Sequence, residues 1–166
     1  MRNIRLLLLL ILIVFPLPAV TANEEQEEYD WAMGLSVIAP GLPVALKIVN
    51  QPGDWGWQAE FNYFYLLGMA RIDGRRVIKG SNGTDIYAFA GVTLNHFNGY
   101  VAVPSLDYLE FVLSADLGVG AQWRFTKHLS IGLEGGLMIP FWCNRGLDQF
   151  DNSGLMVANA YLMYWF

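Results

Sequence analysis

The chain has 166 residues, 54% of them hydrophobic, with six Trp, eight Tyr, ten Phe, one Cys and a formal net charge of −5. That length suits one domain. The apolar share excludes a disordered or polyelectrolyte chain, a single Cys excludes an internal disulfide, and the acidic balance argues against a nucleic-acid partner, which asks for clustered basic charge.

Arg2 and Arg5 precede an unbroken apolar run over residues 6–15, and Pro16-Leu17-Pro18 leads into Ala19-Val20-Thr21-Ala22, the small-residue pattern that signal peptidase reads. Residues 1–22 are therefore expected to be a cleaved secretory signal peptide. The run is too short to cross a bilayer as a helix, which takes about 20 residues, and no Cys follows the cleavage region to accept a lipid. Without this segment eight Lys and Arg face fifteen Asp and Glu, a net charge of −7. No later stretch is long and apolar enough for a transmembrane helix, so alternation must dispose of the apolar residues.

Residues 23–30 are acidic and read as a solvated tail. Residues 31–38 and 43–50 then show period-two alternation, the mark of a strand with two unlike faces. In residues 55–67, Trp55, Trp57, Ala59, Phe61, Tyr63, Tyr65 and Leu67 alternate with Gly56, Gln58, Glu60, Asn62, Phe64 and Leu66. Residues 68–83 read as a long loop. Over residues 84–97 the apolar set is Ile86, Ala88, Ala90, Val92 and Leu94, and a weak strand is expected in residues 99–104 between turn residues. The clearest element spans residues 109–125. One face runs Leu109, Phe111, Leu113, Ala115, Leu117, Val119, Ala121, Trp123 and Phe125; the other carries Glu110, Val112, Ser114, Asp116, Gly118, Gly120, Gln122 and Arg124. After a tight turn at residues 126–128, Leu129, Ile131, Leu133, Leu137, Ile139 and Phe141 oppose Ser130, Gly132, Glu134, Gly136, Met138 and Trp142. Residues 154–166 end the chain with Met156, Ala158, Ala160, Leu162, Tyr164 and Phe166 on one side.

Eight strands predict an all-β, up-and-down antiparallel barrel over residues 31–166, closed so that no edge is left unpaired. The connections 50–54, 95–99 and 126–128 read as short, and 68–83 and 143–153 as long. That asymmetry belongs to a transmembrane barrel with both ends of the chain in the periplasm. A soluble eight-stranded barrel would turn its apolar face inward, but side chains as bulky as Phe111, Leu113, Leu117 and Trp123 cannot all fill so narrow an interior. Apolar-out with polar-in is therefore expected. Trp31, Trp55 and Trp57 open odd strands while Trp123 and Trp165 close even ones, which puts five of the six Trp at one membrane interface.

The signal segment, the strand-turn-strand over residues 118–134 and the ending Tyr161-Leu-Met-Tyr-Trp-Phe166 together resemble the small eight-stranded Gram-negative outer-membrane β-barrels, the class of the outer-membrane protein A barrel domain, outer-membrane protein X and the opacity proteins. The resemblance implies an outer-membrane location, outer-membrane lipids as partners and a monomer. It also implies that Phe166, with Tyr164 and Leu162 at alternate positions before it, is read by the barrel-assembly machinery.

The inward polar set, Lys47, Gln58, Glu60, Asn62, Asp116, Gln122, Arg124 and Glu134, is expected to form a buried structural network and to leave no open pore. Arg71, Arg75, Arg76 and Lys79 make the 68–83 segment basic and suggest contact with lipopolysaccharide phosphates. The widely separated His and Cys offer no metal-ligand spacing, no cofactor is expected, and Cys143 reads as a lone thiol. His128 and Ser130 with Glu134 superficially resemble a His-x-Ser lipid A hydrolase, but alternation explains Ser130 and Glu134 without chemistry. The role expected is structural, adhesive or envelope-maintaining. A lipid A or phospholipid-modifying enzyme and a soluble barrel binding an apolar ligand are the alternatives.

Overall fold

In a computed structural model, residues 30–39, 44–63, 67–81, 83–98, 109–144 and 155–166 are described. The alternation becomes eight strands: β1 (Trp31–Ala39), β2 (Val44–Asn50), β3 (Trp55–Tyr63), β4 (Leu67–Ser81), β5 (Thr84–Asn98), β6 (Leu109–Arg124), β7 (Leu129–Cys143) and β8 (Leu155–Trp165). Each pairs antiparallel with the next, and β8 returns to β1 to close the barrel. The seam is zipped from Ala32 opposite Trp165 to Ala39 opposite Ala158, and the Phe166 amide donates to the Trp31 carbonyl at 2.9 Å.

The eighth strand lies elsewhere than the alternation placed it. The segment 68–83 is no loop: β4 occupies it, paired with β3 from Tyr63 opposite Gly68 to Trp55 opposite Arg76. The strand expected in residues 99–104 lies outside the described residues, as do the signal segment 1–22 and the tail up to residue 29. The turn expected at residues 95–99 is the end of β5, which runs on to Asn98.

Connections at the end where Asp30 and Phe166 lie are residues 51–54, 82–83 and 125–128, and at the opposite end they are 40–43, 64–66, 99–108 and 144–154. Gly53 (φ 112°) and Gly83 (φ 80°) supply the left-handed backbone that two of the tight turns require.

The outward set is the apolar one: Leu35, Phe61, Ile72, Val119, Leu133 and Leu162 are all exposed, with Val119 at 58%. In water such a belt would drive aggregation, whereas in hydrocarbon it is the required surface, with the backbone paired from strand to strand around the closed ladder. One register shift breaks the parity of β7. Leu113 faces Trp142 but Ser114 faces Pro140, so Phe141 is unpaired. Pro140 cannot donate to the ladder, a common cause of such a bulge. Trp142, expected on the lumen face, is consequently exposed, and Cys143 turns inward and is buried.

The Trp positions fall where the alternation puts them, at strand ends near Asp30 and Phe166. Trp165, however, points into the lumen and is fully buried, its indole Nε1 donating to Ser130 Oγ at 2.8 Å. Four rings rather than five therefore stand on the outer wall at this end.

Candidate functional site

Lumen positions along β2 run Ala45, Lys47, Val49, and along β8 Val157, Asn159, Tyr161, all buried or nearly so. A polar layer is thus held between two apolar clusters. Ala32, Val49, Tyr161, Met163 and Trp165 form one, and Ile38, Ala45 and Met69, with Val157 against them, form the other.

Between them Lys47 Nζ sits 2.9 Å from Glu60 and 2.7 Å from Glu134. Arg71 Nη1 reaches the same two carboxylates at 3.2 and 3.4 Å, and its Nε lies 2.8 Å from Asp73 and 3.7 Å from Asp116. The Asn159 amide donates to Glu60 at 2.6 Å and to Glu134 at 3.1 Å, and the Tyr87 hydroxyl donates to Glu134 at 2.7 Å. Gln58 donates to Asp73 at 3.0 Å and Thr93 to Asp116. Carboxylates taken out of water need this density of donors, because an unpartnered buried charge costs several kcal/mol.

Lys47, Glu60, Asp116 and Glu134 thus stand together, within reach of one lysine and one arginine. Arg124 does not join them. It lies at the end of β6, its guanidinium 4.2 Å over the Trp165 ring and 3.9 Å from Asp85, because strand position puts it well below the level of Lys47.

The cations missing from the expected set are Arg71 and Arg75, which sequence reading placed in a loop facing lipopolysaccharide. They lie on β4 and face the lumen, both buried. Arg75 rests 3.8 Å from the Tyr87 ring and reaches Gln122 at 3.5 Å. The parity of β4 separates the four cations: Arg71 and Arg75 turn in, while Arg76 turns out and lies 5.0 Å over the Trp55 ring. Lys79 is exposed beyond a register shift at Val77/Lys79. Arg76 and Lys79 belong to the end that carries Asp30 and Phe166, not to the end with the longer connections.

Bulky lumen side chains fit because glycines face them. A Cβ on Gly132 would fall 2.1 Å from Tyr161, and one on Gly120 would fall 2.4 Å from Tyr87. Above the polar layer Arg71, Asp116, Glu134 and Asn159 line a cavity with Met69 and Met138, with room for about one water molecule.

His128 and Ser130 do not meet. Ser130 Oγ is buried in the lumen under Trp165, while the His128 ring stacks on the outward Tyr164 at 5.3 Å with Nδ1 2.9 Å from the Trp165 carbonyl. Glu134 is committed to Lys47 and Tyr87. Among the described residues no three His, Cys, Asp or Glu side chains are grouped to hold a metal ion. Cys143 is buried, its Sγ 3.5 Å from Glu110. Leu162, Tyr164 and Phe166 are exposed along the outer wall of the closing strand.

No protein-family model and no curated protein matches the chain. Among solved structures, Neisserial surface protein A aligns with a TM-score of 0.56 at 11% identity, over 82% of this chain and 93% of that one. The de novo designed protein TMB2.3 aligns with a TM-score of 0.51 at 16% identity, over 86% of this chain and 98% of that one. At such identities the likeness is one of fold. The chain has the closed, up-and-down, eight-stranded fold of outer-membrane β-barrels.

Proposed function

We propose that the protein is an outer-membrane barrel whose lumen is an internal brace rather than a conduit, and whose role is structural, adhesive or envelope-maintaining. The observation that carries this reading is the filled interior: Lys47, Arg71, Glu60 and Glu134 interlock between two apolar clusters, and Trp165 is fully buried beneath them. Activity is then a matter of what the outside of the barrel presents. The roots of the two longest connections are tied together where β6 begins and β7 ends. There the Phe111 amide donates to Asn144 Oδ1 at 3.0 Å and the Asn144 amide to the Phe111 carbonyl at 3.2 Å.

Three measurements test the reading. The protein is expected in the outer-membrane fraction, with residues 1–22 removed, and its unboiled form is expected to migrate differently from its boiled form. Recovery in soluble periplasm would instead favour a ligand-carrying soluble barrel. In a planar bilayer it is expected to give no steady conductance. If the role is adhesive, replacing residues 99–108 and 144–154 by short turns abolishes surface attachment while leaving the heat-dependent gel shift intact. Phe166, with Tyr164 and Leu162, serves in this reading as the assembly signal, and deleting Phe166 is expected to lower the amount of folded barrel in cells.

A further inference from the structure

The charge of the lumen does not balance. Between the two apolar clusters Glu60, Asp73, Asp116 and Glu134 share Lys47 and Arg71. Arg75 lies nearer the Asp30 end, against the Tyr87 ring and Gln122, and makes no ion pair among the described residues. Even with Arg75 counted, four carboxylates face three cations, and all of them are buried. An excess charge held out of water calls for a counter-charge close by.

Two oxygens mark the place. Asn159 gives its amide nitrogen to Glu60 at 2.6 Å and to Glu134 at 3.1 Å, which fixes the orientation of the amide and leaves Oδ1 on the other side without a hydrogen-bond partner. Asp116 accepts from the Thr93 hydroxyl and faces Arg71 Nε at 3.7 Å through Oδ2, so its Oδ1 is likewise unpartnered. Both side chains are buried, Asn159 at 3% exposure and Asp116 at 6%, and both line the cavity above the polar layer. They stand on β8 and β6, on either side of β7, whose Glu134 lines the same cavity.

We propose that this cavity holds one small monovalent cation, sodium, bound by Asp116 Oδ1 and Asn159 Oδ1 beside Glu134. Carboxylate and carbonyl oxygens suit a hard cation. The cavity also limits the guest: it has room for about one water molecule, whereas a divalent ion demands about six oxygens and gives up its waters reluctantly. Arg71 lines the cavity too, but its Nε is turned to Asp73, its Nη1 to Glu60 and Glu134, and its face lies 4.6 Å from the Phe89 ring. Its charge is already divided among the carboxylates. The inference rests on the brace reading above and deepens it: the ion is a resident counter-charge, not cargo in transit.

Urea unfolding of the heat-modifiable barrel in vesicles, at constant ionic strength in sodium, potassium or choline chloride, tests it. The folded form is expected to gain from sodium over choline in a saturable way, about tenfold in the folding equilibrium at ten times the half-saturating concentration. Potassium, the larger ion, is expected to give less, and D116N is expected to abolish the sodium gain. Equal stability in sodium and choline, or an undiminished gain in D116N, overturns the site. An equal gain from potassium overturns the assignment to sodium, and stabilisation by acid with none by sodium gives the place to a proton and overturns the metal ion. If D116N fails to fold, the sodium magnetic resonance line decides on the unaltered barrel: broadening beyond that of empty zwitterionic micelles is expected, and its absence overturns the site. Steady conductance in a planar bilayer would sink the brace reading, whereas a closed barrel indifferent to sodium sinks this inference only.

Discussion

Replacing Lys47 by Met tests whether the lumen is braced by charge or merely filled. Lys47 is fully buried and is the shortest link between Glu60 and Glu134, at 2.9 and 2.7 Å. Methionine keeps the volume of the stem and removes the ammonium. Removing one partner of a buried pair typically costs about 3–5 kcal/mol, because the other charge is left in low dielectric. Here the glutamates retain Arg71 at 3.2 and 3.4 Å and the Asn159 amide at 2.6 and 3.1 Å. The loss should therefore fall at the low end, about 3 kcal/mol, or about a hundredfold in the unfolding equilibrium. Arg71→Met removes the cation shared by four carboxylates and should cost more. Adding Glu134→Gln to Lys47→Met takes away one of the stranded charges, so the double variant should be more stable than the lysine variant alone. Equilibrium urea unfolding in lipid vesicles, followed by Trp emission and by the folded fraction on unboiled gels, measures all three. A Lys47→Met cost below about 0.5 kcal/mol, within the range of an ordinary surface change, or strict additivity with Glu134→Gln, would show that the network contributes no coupling.

Other expectations follow from the two faces of the wall. Leu133→Arg, on the outer wall at 54% exposure, should destabilise the barrel in vesicles by about 2–4 kcal/mol; a neutral effect would place that face in water. Gly132→Ala puts a methyl group within 2.1 Å of the Tyr161 ring and should cost about 1–3 kcal/mol, whereas Gly135→Ala, with nothing within 4 Å, should be neutral on the same urea curves. Trp165→Ala empties the lower lumen and should cost about 3–5 kcal/mol; a variant that also gains conductance in a planar bilayer would identify Trp165 as part of the seal. Cys143 should react with a maleimide far more slowly in the folded barrel than in urea, since its side chain is buried against Glu110.

Alternation was enough to read the barrel because most strands expose long aliphatic or aromatic side chains on one face and polar ones on the other. It failed at β4, whose outward residues include Ala70, Gly74 and Arg76 beside Ile72. With so weak an apolar stripe, Arg71, Asp73 and Arg75 read as loop charge, although their spacing of two is that of a strand face. The four carboxylates and three cations of the lumen were therefore only partly visible. Parity puts Tyr87, Phe89 and Tyr161 inside, but how rings of that size fit there was not legible for a different reason: the volume of a lumen position is set by the neighbouring strand, and the glycines that make room at Gly120, Gly118 and Gly132 must first be placed in register. The signal that could have located them was present, as a row of glycines on the polar face of residues 118–136.

The seam between β1 and β8 has a kinetic consequence. Seven of the eight strand pairings join neighbours in sequence and can form as local hairpins, but the last joins Trp31 to Phe166 and nothing shorter substitutes for it. Until the C-terminal residues are delivered, the chain can only be an open sheet with two bare edges, each a template for a wrong partner. Closure is therefore a late event with a large loop entropy to overcome. A truncation of even the final strand should leave no smaller barrel behind, only an aggregating ribbon.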